Sequence, residues 1–377
     1  MHDFVLKEIV NTDIEKELEL IGFDKTYTGK AKDKFEYKNF KIFNLTPAQA
    51  NIIKQTAISA GADCGTHREV ITGKIENSNC ILGGSISELT KIAQKLQFQP
   101  FGLKNLGQNI LEKLSTQKVK TKIMGILNVT QNSFSDGGRY YEFEDSIKQL
   151  HKLIEDGADI IDIGAESTKP YSKAIPVQEQ LDKLIPILEY LKTISHPPIS
   201  IDTRSSEVAS KCIELGADII NDVSGMDYDE LMADTLANFP NTKIILQHSQ
   251  GTPENMQDSP SYENIIDEIY LNLKSKVVFA ISKGIKKENI IIDPGIGFGK
   301  TKEHNLEILK RWKELKTLDC PVLIGLSRKS FLEIPDATNE EKDIYSLAFA
   351  SILMNEGLDI IRVHNVQIHK RFQKISG

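Results

Sequence analysis

From Lys120 onward the 377-residue chain repeats one unit: a short apolar run, a polar break at its end, then a helix-like segment. In TKIMGILNVT, residues Ile123, Met124, Ile126, Leu127 and Val129 form the apolar run, which gives way at Asn128 and Thr130 to a polar, glycine-ended loop. GADIIDIGAESTKP is the second unit, its strand Ile160 to Ile163 followed by Glu166, Ser167 and Thr168. The third strand ends in Asp202, the fourth in Asn221 and Asp222, the fifth in Gln247 and His248. Asp293 and a glycine-rich loop end the sixth, Ser327, Arg328 and Lys329 the seventh, and Arg362 and His364 the eighth. Short runs that are apolar on both faces and alternate with helices build a buried parallel sheet. Eight of them over about 250 residues predict a closed α/β (β/α)8 TIM barrel. An open doubly wound sheet is the alternative, but it sets its phosphate-binding glycines after the first strand. Here they follow the sixth, and GIGFGK does not match GxGxxG, which discounts NAD.

Residues 1–118 have a different texture and predict a small α+β domain ahead of a barrel at 119–377. FEYKNFKIFNL alternates, and LTPAQANIIKQTAISA has a Thr46 cap, Pro47 at the first helical position and Gly61 as a stop. Strand-like runs are expected around Glu69 to Thr72 and Cys80 to Leu82. A second helix is expected from Ser87, with Ser87 and Thr90 a near miss for a capping box. His67-Arg68-Glu69 reads as a solvated turn. No catalytic constellation stands in this part.

A net charge of −7 argues against a basic nucleic-acid face, so local clusters of Arg, Lys and His point to an anionic small ligand. No apolar run reaches the length of a membrane span, and the N-terminus is acidic where a signal peptide is basic; a cytoplasmic protein is expected. Cys64, Cys80, Cys212 and Cys320 form no CxxC pair and read as buried thiols.

Polar groups at the end of a buried strand cost desolvation unless a ligand or partner satisfies them, and in a barrel they converge on one mouth. Asp202, Asn221 and Asp293 offer carboxylate and amide groups suited to the edge of a nitrogen heterocycle. Lys329, Arg362 and His364, from the seventh and eighth strands, are cationic or potentially so and suit a phosphate. The expected ligand is a nitrogenous ring bearing a phosphate.

MGILNVTQNSFSDGG, DIGAESTKP, ISIDT, GADIINDVSG, LQHSQGTP, IIDPGIGFGK, LSRKSF and RVHNV together resemble dihydropteroate synthase, in that family's order, from about Lys122 to Lys370. The resemblance implies a barrel that joins 6-hydroxymethyl-7,8-dihydropterin pyrophosphate to p-aminobenzoate, releasing pyrophosphate and 7,8-dihydropteroate in folate synthesis. It implies that Asp202, Asn221 and Asp293 hold the pterin, with Lys329 beside it. Asn128, Arg362 and His364 would bind pyrophosphate, Asn128 being the protein ligand to Mg2+. Ser167, Thr168, Phe134 and Pro170 would shape the p-aminobenzoate pocket, and the loops Ser133 to Gly138 and Lys169 to Ser172 would close over it. Asp136 would favour a cationic pterin methylene. The family further implies sulfonamide inhibitors and a homodimer.

The chain departs from the family pattern at Gln131, Asn132, Lys169, Tyr171, Ser249 and Asn365. Pterin-binding methyltransferases share the Asp, Asn, Asp set but release no pyrophosphate, so LSRKSF and RVHNV favour the synthase. A silent pterin binder is the other rival, and turnover would exclude it.

Overall fold

The computed structural model describes residues 5–9, 13–114, 119–129, 138–166, 175–251, 260–332 and 336–376, with backbone alone at 138–142. It divides into two compact units, Met1–Gln117 and Lys118–Gly377.

In the first unit, strands β1 (Tyr37–Leu45), β2 (Asp63–Thr66) and β3 (Ser78–Ser85) form an antiparallel sheet in the order β1–β3–β2. Leu82 of the central strand packs with Ile53, Leu89, Ile92 and Leu96, contributed by the helices Pro47–Ala60 and Ile86–Leu96. Both helices start on a reciprocal capping box that satisfies backbone donors the first turn would leave orphaned. Thr46 and Gln49 make the first, as expected. Ser85 and Glu88 make the second, two residues before the expected cap and with the Glu that Ser87 lacked. The strand expected at Glu69 to Thr72 is absent: Arg68–Val70 is a 3-10 turn whose His67 ring nitrogen accepts from the Glu69 N–H, and the strand lies earlier, at β2. The local side-chain cap outcompetes the β-propensity of Val70, Ile71 and Thr72.

The second unit is the expected barrel. Its strands are β4 (Lys122–Asn128), β5 (Ile160–Gly164), β6 (Ile199–Asp202), β7 (Ile219–Asp222), β8 (Lys243–Gln247), β9 (Ile290–Asp293), β10 (Leu323–Gly325) and β11 (Ile360–Val363). All pairings are parallel, in the order β10–β11–β4–β5–β6–β7–β8–β9, and a bridge between Ile292 and Val322 joins the two ends. The recurrent G-A-D-I and G-L-D-I segments have a common use at strand entry. Asp159, Asp218 and Asp359 each accept from a backbone N–H of the neighbouring strand's start, at Ile123 (2.8 Å), Ile199 (2.8 Å) and Val322 (2.9 Å).

Side chains alternate across a strand, so one set faces the helices and the other the barrel axis. The outer set, including Ile161, Ile201, Ile220 and Ile292, packs with Leu153, Leu184, Leu273 and Trp312 of the surrounding segments. At Gly125 an added Cβ would lie 2.9 Å from Leu153 and Val366, so only glycine lets their helices approach β4 this closely. The inner set is an apolar plug of Met124, Ile160, Ile219, Ile245, Ile291, Leu323 and Ile360. Two residues further along, the same face becomes polar: Ile160 is followed by Asp162, Ile219 by Asn221, Ile245 by Gln247, Ile291 by Asp293 and Ile360 by Arg362. That step from hydrocarbon to polar groups is the floor of the site. Among the described residues no helix is long and apolar enough to cross a membrane, and all four cysteines are buried thiols.

Candidate active site

Asp202, Asn221 and Asp293 are buried at the carboxyl ends of β6, β7 and β9. Register sets the first two side by side, since Asp202 pairs with Asn221 across the ladder. Arg362, on the inner face of β11, crosses the barrel to join them. Its Nε donates to Asp162 Oδ2 at 2.6 Å and its Nη2 to Asp202 Oδ2 at 2.9 Å. Asp162 also accepts from Asn221 Nδ2 at 3.1 Å. These four side chains, from β5, β6, β7 and β11, form one connected network in which every member is largely shielded from water.

The shielding shows in the titration of the groups. Burial pushes the Asp202 carboxyl up to about 7, the nearby Arg362 opposing the rise and Asp162 and Glu166 adding to it. Burial raises Asp293 to about 6, against the Gly295 N–H that donates to its Oδ1 at 2.7 Å and the positive charge of Lys329. That donor depends on a turn only glycine makes: Gly295 has φ +67°, and a Cβ there would sit 1.9 Å from the His248 carbonyl oxygen. Lys329 is lowered by burial and by Arg362 to about 8, while Asp293 and Asp202 restrain the fall. Its ammonium stands 4.1 Å from the centre of the Phe298 ring. For Arg362, burial works against the charge, but Asp162 and Asp202 outweigh it and its proton is held more tightly than usual.

His364, read above as cationic or potentially so, is neutral in the fold. Burial, with Arg328 and Arg362 close by, lowers it to about 3, so the ring is neutral near pH 7. Its Nδ1 lies 3.0 Å from Ser327 Oγ. The group therefore offers a hydrogen bond rather than a charge. Beside it, Arg328 grips Asp343 through two bonds of 2.8 and 2.9 Å while holding a positive φ of 56°, a strained setting for a side-chain-bearing residue. Asn365, one of the departures from the family pattern, donates to Asp343 and accepts from the Ile368 N–H, so it anchors the start of the final helix.

Asn128 is exposed at the end of β4, across the ladder from Gly164. Among the described residues no three His, Cys, Asp or Glu side chains cluster as a metal cage. Phe134, Asp136, Ser167, Thr168 and Pro170, together with residues 133–137 and 169–172 of the expected closing loops, lie outside the described residues.

Several buried charged groups escaped the sequence reading or were read without their partners. Asp162 was passed over because the second strand was read to Glu166, Ser167 and Thr168; the repeated pattern of an inward Ile followed two residues later by a polar residue would have found it. Glu166 and Arg204 form a buried ion pair at 3.0 Å, with the guanidinium 4.1 Å from the Tyr228 ring. Lys300, lowered to about 7 by burial, donates to His248 Nδ1 at 3.0 Å and to the carbonyls of His248 and Phe298. It ties the β8 loop to the glycine-rich β9 loop, and burial holds His248 neutral, at about 2.

The pterin binding enzyme family matches residues 124–364. A dihydropteroate synthase from Clostridium beijerinckii is 38% identical over 259 residues, covering 68% of this chain and 93% of that protein. A probable bifunctional folylpolyglutamate synthase/dihydropteroate synthase of Haloferax volcanii is 31% identical over 343 residues, covering 84% of this chain. The chain spans 40% of that relative's length. The crystal structure of Yersinia pestis dihydropteroate synthase with a sulfonamide drug superposes with a TM-score of 0.64 at 34% identity, covering 68% of this chain and 93% of the other.

Proposed function

The chain belongs to the dihydropteroate synthase family of pterin-binding enzymes, and from that membership we propose that it condenses 6-hydroxymethyl-7,8-dihydropterin pyrophosphate with p-aminobenzoate. The observation that carries this reading is the Asp202, Asn221 and Asp293 set beneath Arg362 and Lys329 at the barrel mouth. The three acceptors would take the N–H edge of the pterin ring, and Lys329 would lie beside it. Arg362, with its charge secured by Asp162 and Asp202, and the neutral His364 would receive the pyrophosphate.

In the reaction the bond between the pterin methylene carbon and the pyrophosphate oxygen breaks, and the arylamine nitrogen bonds to that carbon and loses a proton. An arylamine is a neutral nucleophile near pH 7, so stabilising the departing pyrophosphate is the harder task. Fixed donors at Arg362 and His364 serve it without reorganising. Asn128 fits magnesium, since the amide oxygen of an exposed strand end is a hard donor of the kind that ion takes alongside phosphate oxygens and water. When bound, magnesium would draw negative charge away from the leaving group. Asp136 would favour positive charge on the methylene, and Ser167, Thr168, Phe134 and Pro170 would shape the p-aminobenzoate pocket, where sulfonamides would compete.

We further propose that the enzyme acts in the cytoplasm as a homodimer and that residues 1–118 are a docking or stabilising module. The test of the function follows dihydropteroate and pyrophosphate with the full chain, the pterin pyrophosphate and Mg2+, with and without p-aminobenzoate. Product that requires all components supports the synthase. Pterin binding without product would place the barrel with the binders or methyltransferases.

A further inference from the structure

Asp162 does not stand at the strand end, where ligand groups gather. It sits one inward position deeper on β5, fully buried, at the next inward position after Ile160 of the apolar plug and across the ladder from Ser200. We propose that Asp162 is a positioning residue: it sets which way the Asn221 amide faces and holds Arg362 within reach of Asp202. This rests on the pterin-site reading above.

An ionised carboxyl oxygen only accepts, whereas an amide has one accepting and one donating end that a half-turn exchanges. Asp162 Oδ2 receives both Arg362 Nε and Asn221 Nδ2. A turned amide would set its carbonyl oxygen against the carboxylate, so the Asp162 contact leaves one orientation for Asn221. In that orientation Asn221 Oδ1 is buried and has no hydrogen-bond partner among the described residues, and Asp162 Oδ1 is in the same condition. Buried acceptors of this kind cost free energy until a donor arrives. With Asp202 and Asp293 alongside, the subsite becomes a row of acceptors, which suits a ring edge rich in N–H and refuses one that accepts.

The second duty concerns Arg362. Its side chain remains 18% exposed and could extend toward solvent; the bond from Nε to the fully buried Asp162 fixes the root of the guanidinium, so that Nη2 meets Asp202. Without Asp162, the Asn221 amide is free to turn and Arg362 is held at one end only.

The test uses the full chain carrying Asp162→Asn, which keeps the shape and removes the fixed acceptor. Calorimetric affinity for 6-hydroxymethyl-7,8-dihydropterin pyrophosphate should fall about ten- to a hundredfold, as expected for a misoriented buried polar contact. The KM for p-aminobenzoate should stay near wild type. In an Asn221→Ala background the same change should cost much less, because there is no amide left to orient. Asp162→Ser is the second variant should the asparagine form fail to fold, with the same expected loss. Wild-type affinity in either variant, or losses that multiply undiminished in the double variant, would overturn the assignment. A wild-type chain that binds the pterin but makes no product sinks the synthase reading and leaves Asp162 to be judged by binding; one that binds no pterin sinks both.

Discussion

The two units bury different chemistry. Among the described residues of the first unit, the buried polar side chains are hydroxyls, at Thr28, Thr56, Ser78 and Ser85, around a core of aliphatic residues. The barrel buries Asp162, Glu166, Asp202, Arg204, Asn221, Asp293 and Lys300. A hydroxyl can be satisfied by a nearby carbonyl, whereas a buried charge needs a counter-charge or a ligand and weakens the fold when it has neither. The first unit is built for packing; the barrel gives up packing at one end in exchange for a place to hold polar cargo.

The sharpest way to break this contrast is to remove the cation at its centre. Arg362→Met leaves Asp162 and Asp202 facing each other without compensation, and stripping one partner from such a buried network costs about 3–5 kcal/mol. Denaturant unfolding of the barrel should show that loss, and kcat/KM should drop by about 10²- to 10³-fold as the leaving group loses its fixed donor. The matching change in the first unit is Leu82→Ala. It opens a hole in an apolar core and should cost about 2–5 kcal/mol, read from hydrogen exchange in β1 and β3. A smaller loss there than on changing Arg362 would fit the contrast, since hydrocarbon can relax around a cavity while a stranded charge cannot.

A third comparison uses pH, to which the first unit's hydroxyls are indifferent. For the free enzyme, kcat/KM should rise as Asp293 and then Asp202 lose their protons, through about 6 and about 7. It should fall again as Lys329 loses its charge above about 8. The basic flank should approach about tenfold per pH unit, and the acid flank about tenfold between the two carboxyls and steeper, toward about a hundredfold, below both. A profile flat from pH 5 to 9 would remove these groups from pterin recognition. The mildest expected effect is at a helix cap: Ser85→Ala should destabilise the first unit by about 1 kcal/mol in thermal unfolding, with the Glu88 half of the box left in place.

Much of the barrel could be read in advance because strand and helix repeat on a period that hydrophobicity records directly. The strand-end residues Asp202, Asn221, Asp293 and Arg362 were legible for the same reason, as polar groups where a buried strand should be apolar. Asp162 was not, since IIDIG looks like the middle of a strand until its inward alternation with Ile160 is counted. The cap at Ser85 was missed by two residues because two serines compete, and only Ser85 has a glutamate three positions on. His67 capping Glu69 defeated the strand expected there, a local contact that propensity does not see.

By itself the sequence determined the α/β repeat, the division of texture near residue 118, and the residue types presented at the barrel mouth. These follow from local patterns of burial and turn chemistry, which any stretch of chain carries with it. Only the tertiary structure decided that Arg362 spans to Asp162 and Asp202, residues 200 and 160 positions away. It also decided that His364 is neutral and that burial brings the carboxyls of Asp202 and Asp293 close to neutral pH. Protonation and pairing depend on what surrounds a group in space, and a linear pattern does not record the closing of a barrel.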